Sequence, residues 1–357
     1  MDHVPGFRLA TIAGDGIGPE VVGAGLELLD ALAGQGGPSF EVTELPWSSR
    51  YYLRHGRMMD EDGLGRLQEH DAILLGALGD PSVPDHIAVR GIVIRIRQAF
   101  DLYVNLRPVE LLPGVTSPLR RATPANVRML MVRENSEGEY LGIGGRAHQG
   151  TEREAAFETA YFTRAGIERV ARYAFERARG EGMRLTSITK SNALVHSMGL
   201  WDESVRRVAA EYPDVGWESM LVDAAALHLV RDPGRFGVVL ASNLFGDILT
   251  DLGAAIAGGL GLAASGNIDP ERRRPSMFEP VHGSAPDIAG QGIANPFATF
   301  WSIALMLEHL GEGASAKAVL AAMRQVLRDT SIRTPDLGGR STTRDVTRAV
   351  CEALPSA

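Results

Sequence analysis

Short runs of consecutive apolar residues alternate along this chain with longer stretches whose apolar positions recur every three or four residues. FRLATIA (7–13), DAILLGA (71–77), VRMLMV (127–132), RLTSIT (184–189) and FGVVLAS (236–242) are apolar runs bounded by turn residues, the pattern of buried strands. Between them, 18–33, 62–69, 164–180, 201–211 and 243–257 carry helical spacing. Such alternation predicts an α/β protein whose sheet is covered on both faces. The segment 134–160 breaks the pattern: it is rich in Gly and polar residues, has no helical stripe, and ends in a strand-like FETAYF. A projecting β-arm accounts for it more economically than a disordered loop.

At 357 residues the chain is long enough for one large domain or two medium ones. Its formal charge of −8 argues against general nucleic-acid binding, which needs an excess of Lys and Arg. A small anionic substrate is still compatible, since a few convergent arginines suffice for a local positive pocket. Cys351 is the single cysteine, so neither a disulfide framework nor a Cys-rich zinc site is expected. The N-terminus lacks a signal-peptide pattern and no apolar run reaches membrane-spanning length, so a cytoplasmic protein without membrane partners is expected. ERRRPS (271–276) reads as a solvated basic loop.

Candidate chemistry sits where the predicted strands end. Gly14-Asp15-Gly16-Ile17-Gly18-Pro19-Glu20 lies between a strand and a helix, but Pro19 and Glu20 occupy the places where the dinucleotide fingerprint needs a glycine. A tight turn and a ligand loop both remain open there, and a Rossmann assignment fails. Arg107 and Arg133 each close an apolar run, and Arg97 closes a helical one. Guanidinium forks grip carboxylates bidentately, so the three could hold a dicarboxylic acid, although each could also be an ordinary surface arginine. Asn243 is placed to cap a helix on which Asp247 and Asp251 lie one turn apart. Two like charges on a mostly apolar helix repel unless a cation neutralises them. Oxygen ligands suit Mg2+ or Mn2+, the alternative being a solvated acidic face. Lys190 and Asp223 each follow a strand. A lysine beside a metal could act as a general base, and Tyr140 could supply a proton. His282 sits in a Gly/Pro-rich loop with Asp287, which could accept the hydroxyls of an adenosine ribose.

In order along the chain, GDGIGPE, RxxxDLYxNLRP (97–108), VRENSEGEY (132–140), TKSN (189–192), ASNLFGDILTDL (241–252) and FEPVHGSAPDIAG (278–290) resemble the motifs of the β-decarboxylating dehydrogenases, from about residue 7 to TPDLGG at 334–339. That family acts on isopropylmalate, isocitrate, homoisocitrate, tartrate and D-malate. The resemblance implies a two-domain, non-Rossmann α/β fold with a large mixed sheet flanked by helices. A cofactor domain of 1–102 plus 258–357 would enclose a substrate, metal and dimerisation domain of 103–257, with an intersubunit arm at 134–160. It further implies Lys190 as base and Tyr140 as acid, with Arg97, Arg107, Arg133 and Asn192 on the substrate. Asp247 and Asp251 would bind Mg2+ or Mn2+ together with Asp223 of the neighbouring subunit, which also lends Lys190. Active sites would therefore exist only in a homodimer. His282, Gly283, Ser284, Ala285, Asp287, Ile288 and Asn295 would form the cofactor loop. NADP-using members carry lysine at the place of Asp287, whose charge would repel a 2′-phosphate, so NAD is expected. A monovalent cation such as K+ is left open.

Within the family, WSSRYYLRHGRMM (47–59) and GDPSVPDH (79–86) resemble the tartrate/D-malate branch. Gly91 stands where isocitrate enzymes have a substrate-binding serine. Arg90 departs from the glutamate of isopropylmalate enzymes and from the aromatic residue of the tartrate branch, while Val93 and Ile94 could still pack an alkyl group. The expectation is an NAD- and metal-dependent tartrate/D-malate dehydrogenase that decarboxylates D-malate to pyruvate. Its rivals are an isopropylmalate dehydrogenase, a relative acting on another malate analogue, and a silent homologue serving as a binding protein.

Overall fold

A computed structural model describes residues 6–355. The first strands are β1 (Gly6–Gly14), β2 (Ser39–Glu44), β3 (Ala72–Ala77), β4 (Val104–Glu110), β5 (Arg128–Glu134) and β6 (Gly144–Ala147). They are followed by β7 (Ala155–Glu158), β8 (Leu185–Thr189), β9 (Trp217–Leu221), β10 (Val238–Ala241), β11 (Ala264–Ile268) and β12 (Ser276–Pro280). The chain divides into two compact units, one comprising residues up to Phe100, Glu110–Pro124 and residues from Ala254 onward, the other Asp101–Val109 and Ala125–Gly253.

In the first unit the strand order is β2-β1-β3-β12-β11. All neighbours run parallel except β11, which is antiparallel to β12. β3 is buried at every position, as its unbroken apolar sequence requires. Gly18–Gly34 packs on β1 and β3, and Phe297–Leu310 on β11 and β12. The latter helix buries every residue from Phe297 to Leu307 and therefore shows no amphipathic stripe.

The second unit has the order β4-β5-β10-β8-β9, with β5, β10, β8 and β9 mutually parallel. Helix Arg164–Glu181 packs on β5, β10 and β8, its N-cap Thr163 accepting from the Gly166 N–H and its apolar face burying Ile167, Val170, Ala174 and Phe175. β6 and β7 form a separate antiparallel hairpin, exposed at every position. The expected arm is thus a hairpin of two short strands, and Thr159–Phe162 lies beyond its second strand. The α/β class with mixed strands and flanking helices is what the chain adopts. Among the described residues, no helix is long and apolar enough to cross a membrane.

Candidate active site

Strand β5 ends in Arg133 and Glu134, and helix Asn243–Ile256 begins just past β10, its parallel neighbour. Carboxyl ends of parallel strands are where open α/β sheets bind ligands. Arg133 is one of the largest fully buried side chains, only 1% exposed. A buried guanidinium is tolerated only when its donors are matched. Its Nε and Nη2 donate to Oδ1 of Asn243 at 3.1 and 2.6 Å, and Nη1 donates to Oδ1 of Asp247. Gly246 makes room for it, since a Cβ there would stand 2.6 Å from Cγ of Arg133.

Arg107, on β4, approaches the same helix. Its Nε donates to Oδ1 of Asn105 at 2.8 Å and its Nη1 to the Thr250 hydroxyl at 2.7 Å. It also pairs with Asp247 at 3.4 Å and with Asp251 at 3.5 Å. The hydroxyl of Tyr140 donates to Oδ2 of Asp247 at 2.8 Å, and its ring lies 5.5 Å from the Arg133 guanidinium. Burial, followed by the charge of Asp247, pushes the Tyr140 phenol up to about 12. Partial desolvation, and then the like charge of Asp247, raise the Asp251 carboxyl above its ordinary value against the pull of Arg107. Within the chain, the cations that neutralise the Asp247–Asp251 pair are thus two arginines.

Arg97, in the first unit, pairs with Glu279 at 2.9 Å, and its buried Nε has no hydrogen-bond partner. Lys190 donates to Oδ1 of Asp223 at 2.6 Å and holds that exposed carboxyl below its usual range. Asn192 is exposed. Asp223 does not join the other two aspartates: among the described residues, no three His, Cys, Asp or Glu are grouped so as to hold a metal. One chain therefore assembles Arg107, Arg133, Tyr140, Asp247 and Asp251, and separately Lys190 with Asp223.

In the first unit Ile17, Gly261, His282, Ile288, Ile293, Asn295, Pro335 and Asp336 line a cavity of about 270 Å³. The His282 ring contacts the Gly283 carbonyl through Nδ1 at 3.0 Å, while its buried Nε2 has no partner. Ser284 is buried, Ala285 has a φ of 40°, and Gly283 and Asp287 are exposed. The Gly14–Glu20 turn braces this loop. Ile17 N–H donates to the Ser284 carbonyl at 2.8 Å, and Glu20 accepts from Ala294 N–H at 2.9 Å. Gly16 has a φ of 55°, and a Cβ on it would collide with the Ser284 carbonyl at 1.9 Å. Asp15 faces elsewhere, accepting from the backbone and hydroxyl of Ser49 and from Gly79 N–H.

Several participants were not singled out by their sequence. Asn105, Thr250 and Glu134 each bond a residue of the site or fix its backbone, and Asn243, placed by its sequence as a helix cap, spends its amide on Arg133 and on the Glu137 carbonyl. Asn243 and Thr250 fall at helical spacing on either side of Asp247, which is the signal that could have marked them. The charged residues of the basic run, Glu271 to Arg274, are exposed as expected, and Arg273 also covers the buried Asp269 carboxylate at 3.0 Å.

Known proteins place this chain in a class. The family model described as isocitrate/isopropylmalate dehydrogenase matches residues 8–350. The chain belongs to that family and is an oxidative decarboxylating dehydrogenase. It is 52% identical over 350 residues to a probable tartrate dehydrogenase/decarboxylase of Agrobacterium vitis, covering 98% of this chain and 96% of that one. Over 349 residues it is 50% identical to a 3-isopropylmalate dehydrogenase of Thermobifida fusca, covering 97% and 98%. It is 47% identical over 356 residues to a D-malate dehydrogenase [decarboxylating] of Escherichia coli strain K12, covering 98% of each.

Proposed function

We propose that the protein is a homodimeric, NAD- and divalent-metal-dependent dehydrogenase of the tartrate/D-malate kind, converting D-malate to pyruvate and CO2. The observation carrying this reading is the convergence of Arg107, Arg133 and Tyr140 on the Asp247 carboxylate. Two buried guanidinium groups supply positive charge for a substrate carboxylate, and the phenol beside them is a proton donor that stays protonated at any working pH.

The donor set suits a hard divalent ion. Asp247 and Asp251 offer oxygen ligands one helical turn apart, but among the described residues of one chain no third acidic, His or Cys ligand joins them. Asp223 of a second copy, exposed and paired with Lys190, is assigned to complete it. The cavity around His282 has apolar walls in Ile17, Ile288, Ile293 and Pro335 and polar atoms at His282, Asn295 and Asp336, which suits an adenine ring. A bound Mg2+ or Mn2+ would supply Lewis-acid polarisation of the 2-oxygen, and a bound NAD would supply the hydride acceptor.

The chain's own residues do the rest. Arg107 and Arg133 orient the substrate carboxylates, and Arg97 contributes the donor that has no protein partner. Lys190 of the second copy takes the hydroxyl proton as hydride leaves the adjacent carbon. The 3-carboxylate then departs as CO2, and Tyr140 passes its proton to the carbon left behind. Asp287 disfavours a 2′-phosphate by charge.

A comparison of kcat/KM for D-malate, L-tartrate and 3-isopropylmalate, with NAD or NADP and Mn2+, tests the reading. We expect D-malate or tartrate with NAD to lead by at least about a hundredfold. A preference for isopropylmalate, or for NADP, would refute the substrate or the cofactor assignment respectively.

A further inference from the structure

From the hydrogen bonds of one side chain we infer that Asn243 is a positioning residue, a single amide that fixes the substrate-binding guanidinium and the proton-donating loop at a constant separation. This rests on the roles just proposed for Arg133 and Tyr140, and it adds a residue to which neither the resemblance nor the relatives' names give a part.

Asn243 opens its helix and is 3% exposed. Its Oδ1 accepts from both Nε and Nη2 of Arg133, and its Nδ2 donates to the Glu137 carbonyl at 2.9 Å. A carboxamide carries acceptor and donor on one rigid plane, so it can hold a guanidinium on one side and a carbonyl on the other. No hydroxyl or carboxylate of similar length does both with the same geometry.

The segment it grips is also tied to its own strand and to the chain that follows the hairpin. Buried Glu134 accepts from the backbone N–H groups of Ser136 and Glu137 at 2.8 and 2.9 Å. The Glu137 carboxylate accepts from Thr163, and Gly138 N–H donates to the Tyr161 carbonyl at 2.9 Å. Gly138 has a φ of 81°, and a Cβ on it would lie 3.3 Å from the Cβ of Asn243, so the loop passes hard against this residue. Two residues later comes Tyr140, whose hydroxyl reaches Asp247, four residues after Asn243 on the same helix face. Removing the amide would leave Nε and Nη2 of Arg133 without their acceptor, so that only Asp247 aims the guanidinium, and would take one hold off the 137–140 turn. The first change concerns substrate binding and the second concerns protonation after CO2 has left.

The two effects can be read separately in the Mn2+-loaded enzyme. KM for D-malate with NAD reports Arg133. Exchange of the pyruvate methyl hydrogens with D2O, followed by proton NMR, reports Tyr140 without the hydride step. For Asn243→Ala we expect KM to rise about tenfold and exchange to slow about tenfold. In a Tyr140→Phe background, Asn243→Ala should slow exchange no further while still raising KM. Should the alanine variant prove insoluble, Asn243→Asp, of equal size, keeps the acceptor and removes the donor, and exchange should still slow about tenfold. Unchanged exchange in an otherwise active variant, or an additive slowing in the Tyr140→Phe background, would overturn the inference alone. A wild-type enzyme that neither oxidises D-malate nor exchanges pyruvate would overturn the parent reading and this one with it.

Discussion

Tyr140 and Arg133 hold opposite oxygens of one carboxylate: the phenol donates to Oδ2 of Asp247, the guanidinium to Oδ1. The groups proposed as acid, substrate-binding cation and metal ligand are thereby held in mutual register. Asp247→Asn keeps the size and one acceptor but removes the charge that answers Arg133 and Arg107. Breaking a buried ion pair costs about 3–5 kcal/mol; here about 2 is expected, because 34% of the Asp247 side chain is exposed and Arg133 keeps Asn243. Urea unfolding of the metal-free protein measures that loss. With Mn2+ supplied, turnover should fall about a thousandfold. A variant as stable as the parent would show that the guanidinium finds its counter-charge elsewhere.

Gly246→Ala makes a prediction opposite in sign to helix propensity. In an exposed helix this exchange stabilises by about 1 kcal/mol. Here the new methyl would stand 2.6 and 2.7 Å from Cγ and Cβ of Arg133, atoms near the backbone of a fully buried side chain that cannot swing aside. We expect lower stability and a KM for D-malate raised by at least about tenfold, with the helix intact by circular dichroism. A stabilised variant with unchanged KM would contradict the packing described.

How much of this was legible beforehand differs by element. β1, β3 and β8 were readable to within one residue at each end, because β3 and β8 are buried at every position and β1 through its centre, which leaves short runs with no helical stripe. Phe297–Leu310 was missed because burial all round erases the periodicity that marks a helix. Arg107, Arg133, Tyr140 and Asp247 were singled out and do meet. The short-range chemistry among them was not legible. Nothing in a linear sequence says that Asn243 turns its amide toward Arg133 rather than back to its own helix, since capping and bridging need the same group. The separation of Asp223 from Asp247 in one chain likewise depends on tertiary placement.

His309 provides a pH-dependence that lies apart from the site. Its Nε2 lies 3.1 Å from the Ser276 hydroxyl, and its ring is 5.7 Å from that of Phe278. Burial, reinforced by the charge of Arg272, lowers it from 6.5 to about 4. The folded state thus keeps the ring neutral where the unfolded chain would protonate it. The resulting contribution is complete above pH 6.5 and is lost as pH falls toward 4, amounting to at most about 3 kcal/mol. Denaturant midpoints at pH 7.5, 5.5 and 4.5 should decline in the parent and decline less in His309→Gln. Parallel curves for the two proteins would remove His309 from the acid sensitivity.

Shared sites leave a signature that no single-chain enzyme can imitate. On the proposed roles, Lys190→Met and Asp247→Asn should each abolish turnover alone. If Lys190 serves the Asp247 of a second copy, co-expressing the two variants produces mixed dimers with one intact site, built from the unaltered Asp247 of one chain and the unaltered Lys190 of the other. Random pairing makes half the dimers mixed, so about a quarter of parental activity should return. Assaying D-malate oxidation in the co-purified mixture, with each variant alone as control, decides the matter. If Lys190 and Asp247 of the same chain worked together, the mixed dimer would hold one doubly damaged site and one intact site within a single heterodimer only when both substitutions fell on one chain. The co-expressed single variants would then recover nothing. An inactive mixture of verified heterodimers would therefore return both residues to one chain and end the case for a site shared across the dimer.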